Sequence, residues 1–348
     1  MNKRIARDMI DIGANLLDDV YFGVYNGSRK HRGDFEEVIE RAKMYGVQHM
    51  IVTCGNLEEY NAATTIMDKY PMLSCTIGYH PTRATELVTE NLTPKPSVQL
   101  LQQLVCDNDL PAYVRAYGEL GLDYVRLHFA SKEIQRQAFE LQLDIFSKKP
   151  SLPLFLHCRD AGDDFLEILA KYKQKEPRLT GVVHSFDGGA DLCSRILALG
   201  FDIGINGCSL KTTDNLSVVS SIPLNRIHLE TDCPWCEIKP THASYSHLSG
   251  LTKEHFKQTV KSCNYDKKRD EGSAQCLCFI KGRTEPAHIN AVAEVLASIT
   301  THSFNNYSVD SLSISEKTAI VRKITAENSK KMFNLENIIP LEFSNILE

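Results

Sequence analysis

The chain has a single tryptophan in 348 residues and nowhere approaches the ~20 consecutive apolar residues that a membrane-spanning helix needs. A membrane-embedded protein is not expected. The opening MNKRIARDMIDIG lacks the apolar core of a secretory leader. Basic residues are not in excess either: 39 Lys and Arg against 44 Asp and Glu leave a formal charge of −5. That balance argues against a protein that coats nucleic acid electrostatically. It leaves room for an enzyme that grips a few phosphates locally. No GxGxxG follows the first apolar run, so a dinucleotide-binding fold loses its main support. Repeats and low-complexity tracts are absent. The 11 cysteines, an odd number, are scattered through apolar runs such as IVTC and FLHC and read as reduced thiols. The expected location is therefore the cytoplasm, with the nucleus left open. Lys267, Lys268 and Arg269 are too short a basic run to serve as a nuclear address. No protein partner is legible.

What is present is a rhythm. Apolar runs at 9–13, 49–54, 73–78, 114–120, 152–157, 181–186, 201–206 and 226–232 have the length and composition of buried strands. Each of the first seven is followed by an amphipathic stretch. In 34–46, Phe35, Val38, Ile39 and Ala42 share one helical face and Gly46 supplies the stop. Eight strands alternating with helices imply parallel βαβ units, and eight of them favour a closed TIM (β/α)8 barrel over an open sheet. We expect residues 1–348 to form one barrel domain, with an irregular excursion at about 239–283 after the eighth strand and helical pattern resuming at 285–299.

The polar residues at the ends of these runs carry the functional signal, because the C-terminal ends of barrel strands face the active site. They are Asp11 and Asn15, His80, Glu119, His157, His184 and Asp232. A lone histidine in such a place is more often a hydrogen-bonded core residue than a ligand. Glu, His, His and Asp at successive strand ends of one barrel would instead converge on one mouth, where a cation compensates all of them at once. The mixed imidazole and carboxylate set suits one or two divalent ions in an open catalytic site. Mg or Mn is favoured, and Zn or Co is compatible. Glu119, central in the strand order, is the natural bridge between two ions.

DIGANL (11–16), IGYHPT (77–82), GELGLDY (118–124), LPLFLHCRDA (152–161), VVHSF (182–186), IGINGCSLKT (203–212), ETDCPWCEIKPTH (230–242) and GRTEPAHI (282–289) occur in that order. Together they resemble the TatD family of metal-dependent deoxyribonucleases among the amidohydrolase-like barrels, over positions 11–289. The resemblance implies metal ligands at Glu119, His157, His184 and Asp232, with Asp232 also acting as the base toward the attacking water and Glu119 as its catalytic companion. It further implies substrate-phosphate contacts from His80 and Arg159, and DNA as the substrate, cut exonucleolytically. Many relatives carry a His-x-His pair where this chain has Gly13 and Asn15. One firmly held ion and a weaker second one are therefore expected.

Other patterns weigh less. Cys233-Pro234-Trp235-Cys236 has the spacing of a redox pair but follows a barrel strand, so Trp235 reads as packing or as a base-stacking face at the mouth. Cys276, Cys278, His242, His247 and His255 match no zinc spacing. Lys253, Lys257, Lys261 and Lys267 describe a basic, flexible loop that could steer a DNA strand, a solvated surface being the plainer reading. Two rival functions stay open: hydrolysis of a small-molecule C–N or ester bond on the same barrel, and a nucleic-acid-binding protein without catalysis.

Overall fold

The computed structural model describes residues 8–107, 109–271, 278–300 and 312–337. Eight parallel strands lie in sequential order: β1 (Met9–Ala14), β2 (Val47–Val52), β3 (Leu73–Ile77), β4 (Val114–Asp123), β5 (Leu154–Arg159), β6 (Gly181–Val183), β7 (Asp202–Ile205) and β8 (Ile227–Leu229). This is the expected TIM barrel. Helices α1 (Phe35–Met44), α2 (Leu57–Met67), α3 (Pro96–Gln102), α4 (Lys132–Phe146), α5 (Gly162–Lys175), α6 (Ala190–Ala198) and α7 (Thr213–Ser221) fill the crossovers. On α1, Phe35, Val38, Ile39 and Ala42 are all buried, and Gly46 beyond it adopts φ +86°, a conformation that costs glycine little.

The two ends of the sheet meet at the top. Ala14 bridges Cys233, Asn15 N–H donates to the Cys233 carbonyl at 2.8 Å, and Asp232 N–H donates to the Gly13 carbonyl at 2.8 Å. The Asp11 carboxylate accepts from Thr231 N–H at 2.9 Å and from the Thr231 hydroxyl at 2.5 Å. Asp11 is thus a clasp between the first and last strands rather than a group facing the mouth. Side chains alternate across each strand, so Ile10, Ile12, Ile51, Ala116, Phe155 and Val182 fill the barrel interior. Helix α11 (Ile314–Met332) and the residues after it cover the opposite end, where Ala326, Phe333 and Leu335 join that interior cluster.

The excursion is ordered where it is described, not irregular. It contains α8 (Gly250–Lys257), α9 (Tyr265–Glu271) and a ribbon pairing Thr259–Val260 with Phe279–Ile280. A buried ion network anchors it. Arg41 bonds Asp34 at 2.9 Å and Glu285 at 2.7 Å, Arg283 bonds Asp34 at 2.6 Å and Glu285 at 2.7 Å, and Arg41 donates to the Tyr265 hydroxyl at 3.2 Å. Each charge is balanced and hydrogen-bonded, which burial of ions demands. Cys276 lies outside the described residues. Lys267 pairs with Glu271 at 3.9 Å, so that part of the lysine set belongs to a helix surface rather than a flexible loop. Helix α10 (Ile289–Ile299) then returns to the barrel. No helix among the described residues is long and apolar enough to cross a membrane.

Candidate active site

The two-residue period of the strands explains why the site residues meet. On β5, Phe155 faces the interior, so His157 two residues later faces it one layer higher; Val182 and His184 repeat the step after β6. The His184 ring stacks on Phe155 at 4.6 Å between centroids, so an apolar floor holds the imidazole at a fixed height. Strand β4 reaches beyond the expected 114–120 to Asp123 because it bulges. Tyr117 pairs with Leu154 and Leu120 with Leu156, with a register shift between Gly118 and Leu120. Gly121, at φ +146°, lies where a Cβ would collide with the His157 carbonyl. The bulge carries Glu119 against the histidines.

There Glu119 Oε1 lies 2.8 Å from His157 Nδ1, 2.6 Å from His184 Nε2 and 3.4 Å from His80 Nε2. His157 Nδ1 and His184 Nε2 are themselves 3.2 Å apart. His80, Glu119 and His157 offer ligand atoms that all lie within 4.8 Å of one another. His80, expected as a phosphate contact, lines the cleft and also belongs to the imidazole–carboxylate cluster, because His80 Nδ1 accepts from Thr82 N–H at 3.1 Å, which turns Nε2 toward Glu119.

Two residues that the sequence reading missed stand behind the cluster. Asp123 Oδ2 lies 3.4 Å from His157 Nε2, and Glu230 Oε2 lies 3.6 Å from His184 Nδ1. Both carboxylates are fully buried. Glu230 is fixed by Ser185 N–H at 2.5 Å and Asn206 Nδ2 at 3.1 Å. The four facing atoms are buried and form no closer hydrogen bond. His157 and His184 therefore each have one nitrogen on Glu119 and the other against a carboxylate. That is the arrangement by which metal-ligating histidines are oriented. A sequence signal existed for Glu230, which shares a face with Asp232 two residues on.

Asp232 lines the same cleft outside the tight His80–Glu119–His157 group. Asn15 Nδ2 donates to its Oδ1 at 2.9 Å, while Cys236 Sγ at 3.3 Å and Ser185 Oγ at 3.4 Å donate to Oδ2. Thr53 Oγ1 donates to Asn15 Oδ1 at 2.6 Å. With its oxygen engaged and its amide shared between Asp232 Oδ1 and the Cys233 carbonyl at 3.1 Å, Asn15 positions Asp232. Gly13 has an equally local reason: a Cβ there would come within 2.7 Å of Glu230 Oε2 and 3.2 Å of the Phe155 ring. The space is already filled by Glu230 and Phe155.

Electrostatics follow from this packing. Burial works against the charged form of each group, but the imidazoles hold Glu119 well below the usual carboxylate range. Burial is likewise outweighed at His184 by Glu119 and Glu230, and at His157 by Asp123 and Glu119, so both rings are raised. At His80 burial wins and the ring falls to about 3. Burial, with the Glu230 and Glu119 charges, lifts Asp232 to about 6. The donor set suits a divalent cation: nitrogen and oxygen atoms converge in a buried pocket, and the protons on His157 and His184 occupy directions that a cation would take.

All of these groups open into one cleft of about 440 Å³. Arg159 lines it and makes no side-chain ion pair or hydrogen bond among the described residues. Trp235 also lines it and is 58% exposed, so its ring faces the mouth and is not packing. Cys233 is fully buried and Cys236 faces Asp232; the CxxC spacing serves the turn after β8.

A parallel barrel with carboxylates and imidazoles gathered at the C-terminal ends of its strands defines a hydrolase of the amidohydrolase-like kind. Known proteins narrow the class. The family model for TatD-related DNases matches residues 10–334. A deoxyribonuclease Tat-D of Schizosaccharomyces pombe is 40% identical over 289 residues, covering 83% of this chain and 88% of that protein. A 3′-5′ ssDNA/RNA exonuclease TatD of Yersinia pseudotuberculosis is 34% identical over 243 residues, covering 68% and 84%. The solved structure of a TatD-family hydrolase from Entamoeba histolytica superposes with a TM-score of 0.77 at 35% identity, covering 94% of this chain and 99% of that one. The chain belongs to the TatD-related DNase family, hydrolases that act on ester bonds.

Proposed function

We propose that the protein is a divalent-metal-dependent deoxyribonuclease that removes nucleotides from DNA ends. The observation that carries this reading is the convergence of three imidazoles on one carboxylate oxygen, Glu119 Oε1, beside Arg159, whose side chain has no partner among the described residues, and an exposed indole. Glu119, His157 and His184, with His80 now added and Asp232 beside them, would hold one or two ions, Mg or Mn before Zn or Co. A divalent ion there supplies Lewis acidity at the phosphoryl oxygen.

The chain's own groups do the rest. Arg159 binds non-bridging phosphate oxygens with its planar fork. Trp235 takes the terminal base on its ring, which suits a strand end or single strand better than an intact duplex. Asp232 accepts the proton of the attacking water at Oδ2, and a carboxyl raised to about 6 is matched to base work near neutral pH. Its Oδ1 is held meanwhile by Asn15. The test is digestion of oligonucleotides labelled at either end, using EDTA-stripped protein resupplied with Mg, Mn, Co or Zn. Stepwise shortening only with metal supports the reading; metal-independent cutting or an intact oligonucleotide overturns it.

A further inference from the structure

A second cavity of about 310 Å³ lies between the excursion and α10, on the far side of the segment 231–238 from the mouth. That volume is at the lower end of small-molecule sites, roughly 300–1,000 Å³. Its walls are apolar and aromatic: Tyr245, Leu248, Phe256, Ile280 and Val292. Lys253, Lys257 and Lys281 line it too. None of the three forms an ion pair among the described residues; Lys253 lies over the Tyr245 ring at 4.8 Å. Glu237 is the one acidic side chain in the lining. Positive charge therefore prevails at the rim.

His288 adds a polar point to that wall. His288 Nδ1 accepts from Glu285 N–H at 3.0 Å, which puts the ring proton on Nε2 and leaves it to donate. A purely aliphatic occupant would leave His288 and the three lysines unanswered. A flat heterocycle with an acceptor on its edge suits the aromatic walls and His288, and an anion joined to it reaches the lysines.

We infer that this cavity binds a nucleoside monophosphate, with the base inside and the phosphate on Lys253, Lys257 and Lys281. The choice of nucleotide rests on the nuclease reading, since that reaction releases such a product. The cavity also touches the mouth mechanically. Thr284 N–H holds the Pro234 carbonyl at 3.0 Å, between Asp232 and Trp235, so an occupant packed against the wall that includes Thr284 bears on the segment that carries both.

The test uses the full chain, stripped of metal, titrated with dAMP, deoxyadenosine and inorganic phosphate by calorimetry and by fluorescence of Trp235, the sole tryptophan. We expect dAMP to bind at least tenfold more tightly than either fragment. The surface triple variant K253A/K257A/K281A should weaken dAMP at least tenfold, the exposed Lys268→Ala outside both linings should leave dAMP affinity unchanged, and Arg159→Ala reads the share of binding taken by the mouth. Parental affinity in the triple variant, dependence on Arg159 alone, or no dAMP binding overturns the inference. An oligonucleotide arm separates the sources of the nucleotide. Weakening of oligonucleotide binding in the triple variant means the strand itself enters the cavity, and weakening of dAMP alone means a free product does; both support the site. If dAMP binding follows the lysines while labelled DNA stays intact, the nuclease reading fails and the site stands. If DNA is cut but dAMP ignores the lysines, the reverse holds.

Discussion

Replacing Glu230 by Gln changes one atom and should disable a histidine it does not covalently touch. Glu230 Oε1 accepts from Ser185 N–H and Asn206 Nδ2, and glutamine keeps that oxygen there. The other position, 3.6 Å from His184 Nδ1, becomes an NH2 donor. His184 must then present Nδ1 as an acceptor, so its proton moves to Nε2, the nitrogen that points at Glu119 from 2.6 Å. A protonated Nε2 cannot ligate a cation. The ring cannot swing to escape, because it stacks on Phe155. Outer carboxylates of this kind are worth about 10–100-fold in metal affinity, roughly 1.4–2.7 kcal/mol by the usual conversion. Competition against a chromophoric chelator measures the affinity, circular dichroism controls for folding, and nitrogen NMR of labelled histidine reads the tautomer. A folded Glu230→Gln protein that binds metal at the parental affinity would refute the argument that Glu230 sets the His184 tautomer.

Further outcomes are expected. Asp232→Asn should lose at least ~10²-fold in single-turnover cleavage with the fold kept; a parental rate at saturating metal would remove Asp232 as the base. Metal binding should release protons, because the raised His157 and His184 must shed theirs first. Affinity should therefore fall as pH falls, and calorimetry in buffers of different ionisation enthalpy would expose a binding event that releases none. Asp34 is buried, but Arg283 and Arg41 hold its carboxyl below the ordinary 3.8. Its contribution to stability is thus full above that value and lost as pH drops through the folded one. Asp34→Ala should cost roughly 3–5 kcal/mol, the penalty for stripping a partner from buried ions, read from denaturant midpoints at neutral pH.

The eight strands and the cluster were legible for one reason: a charged or imidazole group closing an apolar run is rare unless something compensates it. Glu119, His157 and His184 announced themselves that way. Asp123 did not, because the bulge around Gly118 carries β4 past its expected end and turns what reads as a loop carboxylate into a buried one. That His80 also joins the cluster was not legible, since only the bond from Thr82 shows which ring nitrogen faces Glu119. Segment 239–283 was opaque because its helices are short and polar. α8 owes its place to Phe256 stacking on His288 at 4.4 Å rather than to propensity, and tertiary packing of that kind leaves no periodic trace.

The clasp between Asp11 and Thr231, 220 residues apart, has a consequence for synthesis. A chain emerging from the ribosome keeps the Asp11 carboxylate in water until Thr231, just past the eighth strand, arrives to replace that hydration in the core. Even then Phe333 and Leu335, which belong to the interior cluster, are still to come. The barrel is thus sealed by its first and last segments together, a long-range pairing that is slow to form. A nascent chain that has not yet made α11 leaves the apolar interior uncovered at the end that Ala326, Phe333 and Leu335 fill, so closure of the core waits on that helix rather than on any single strand.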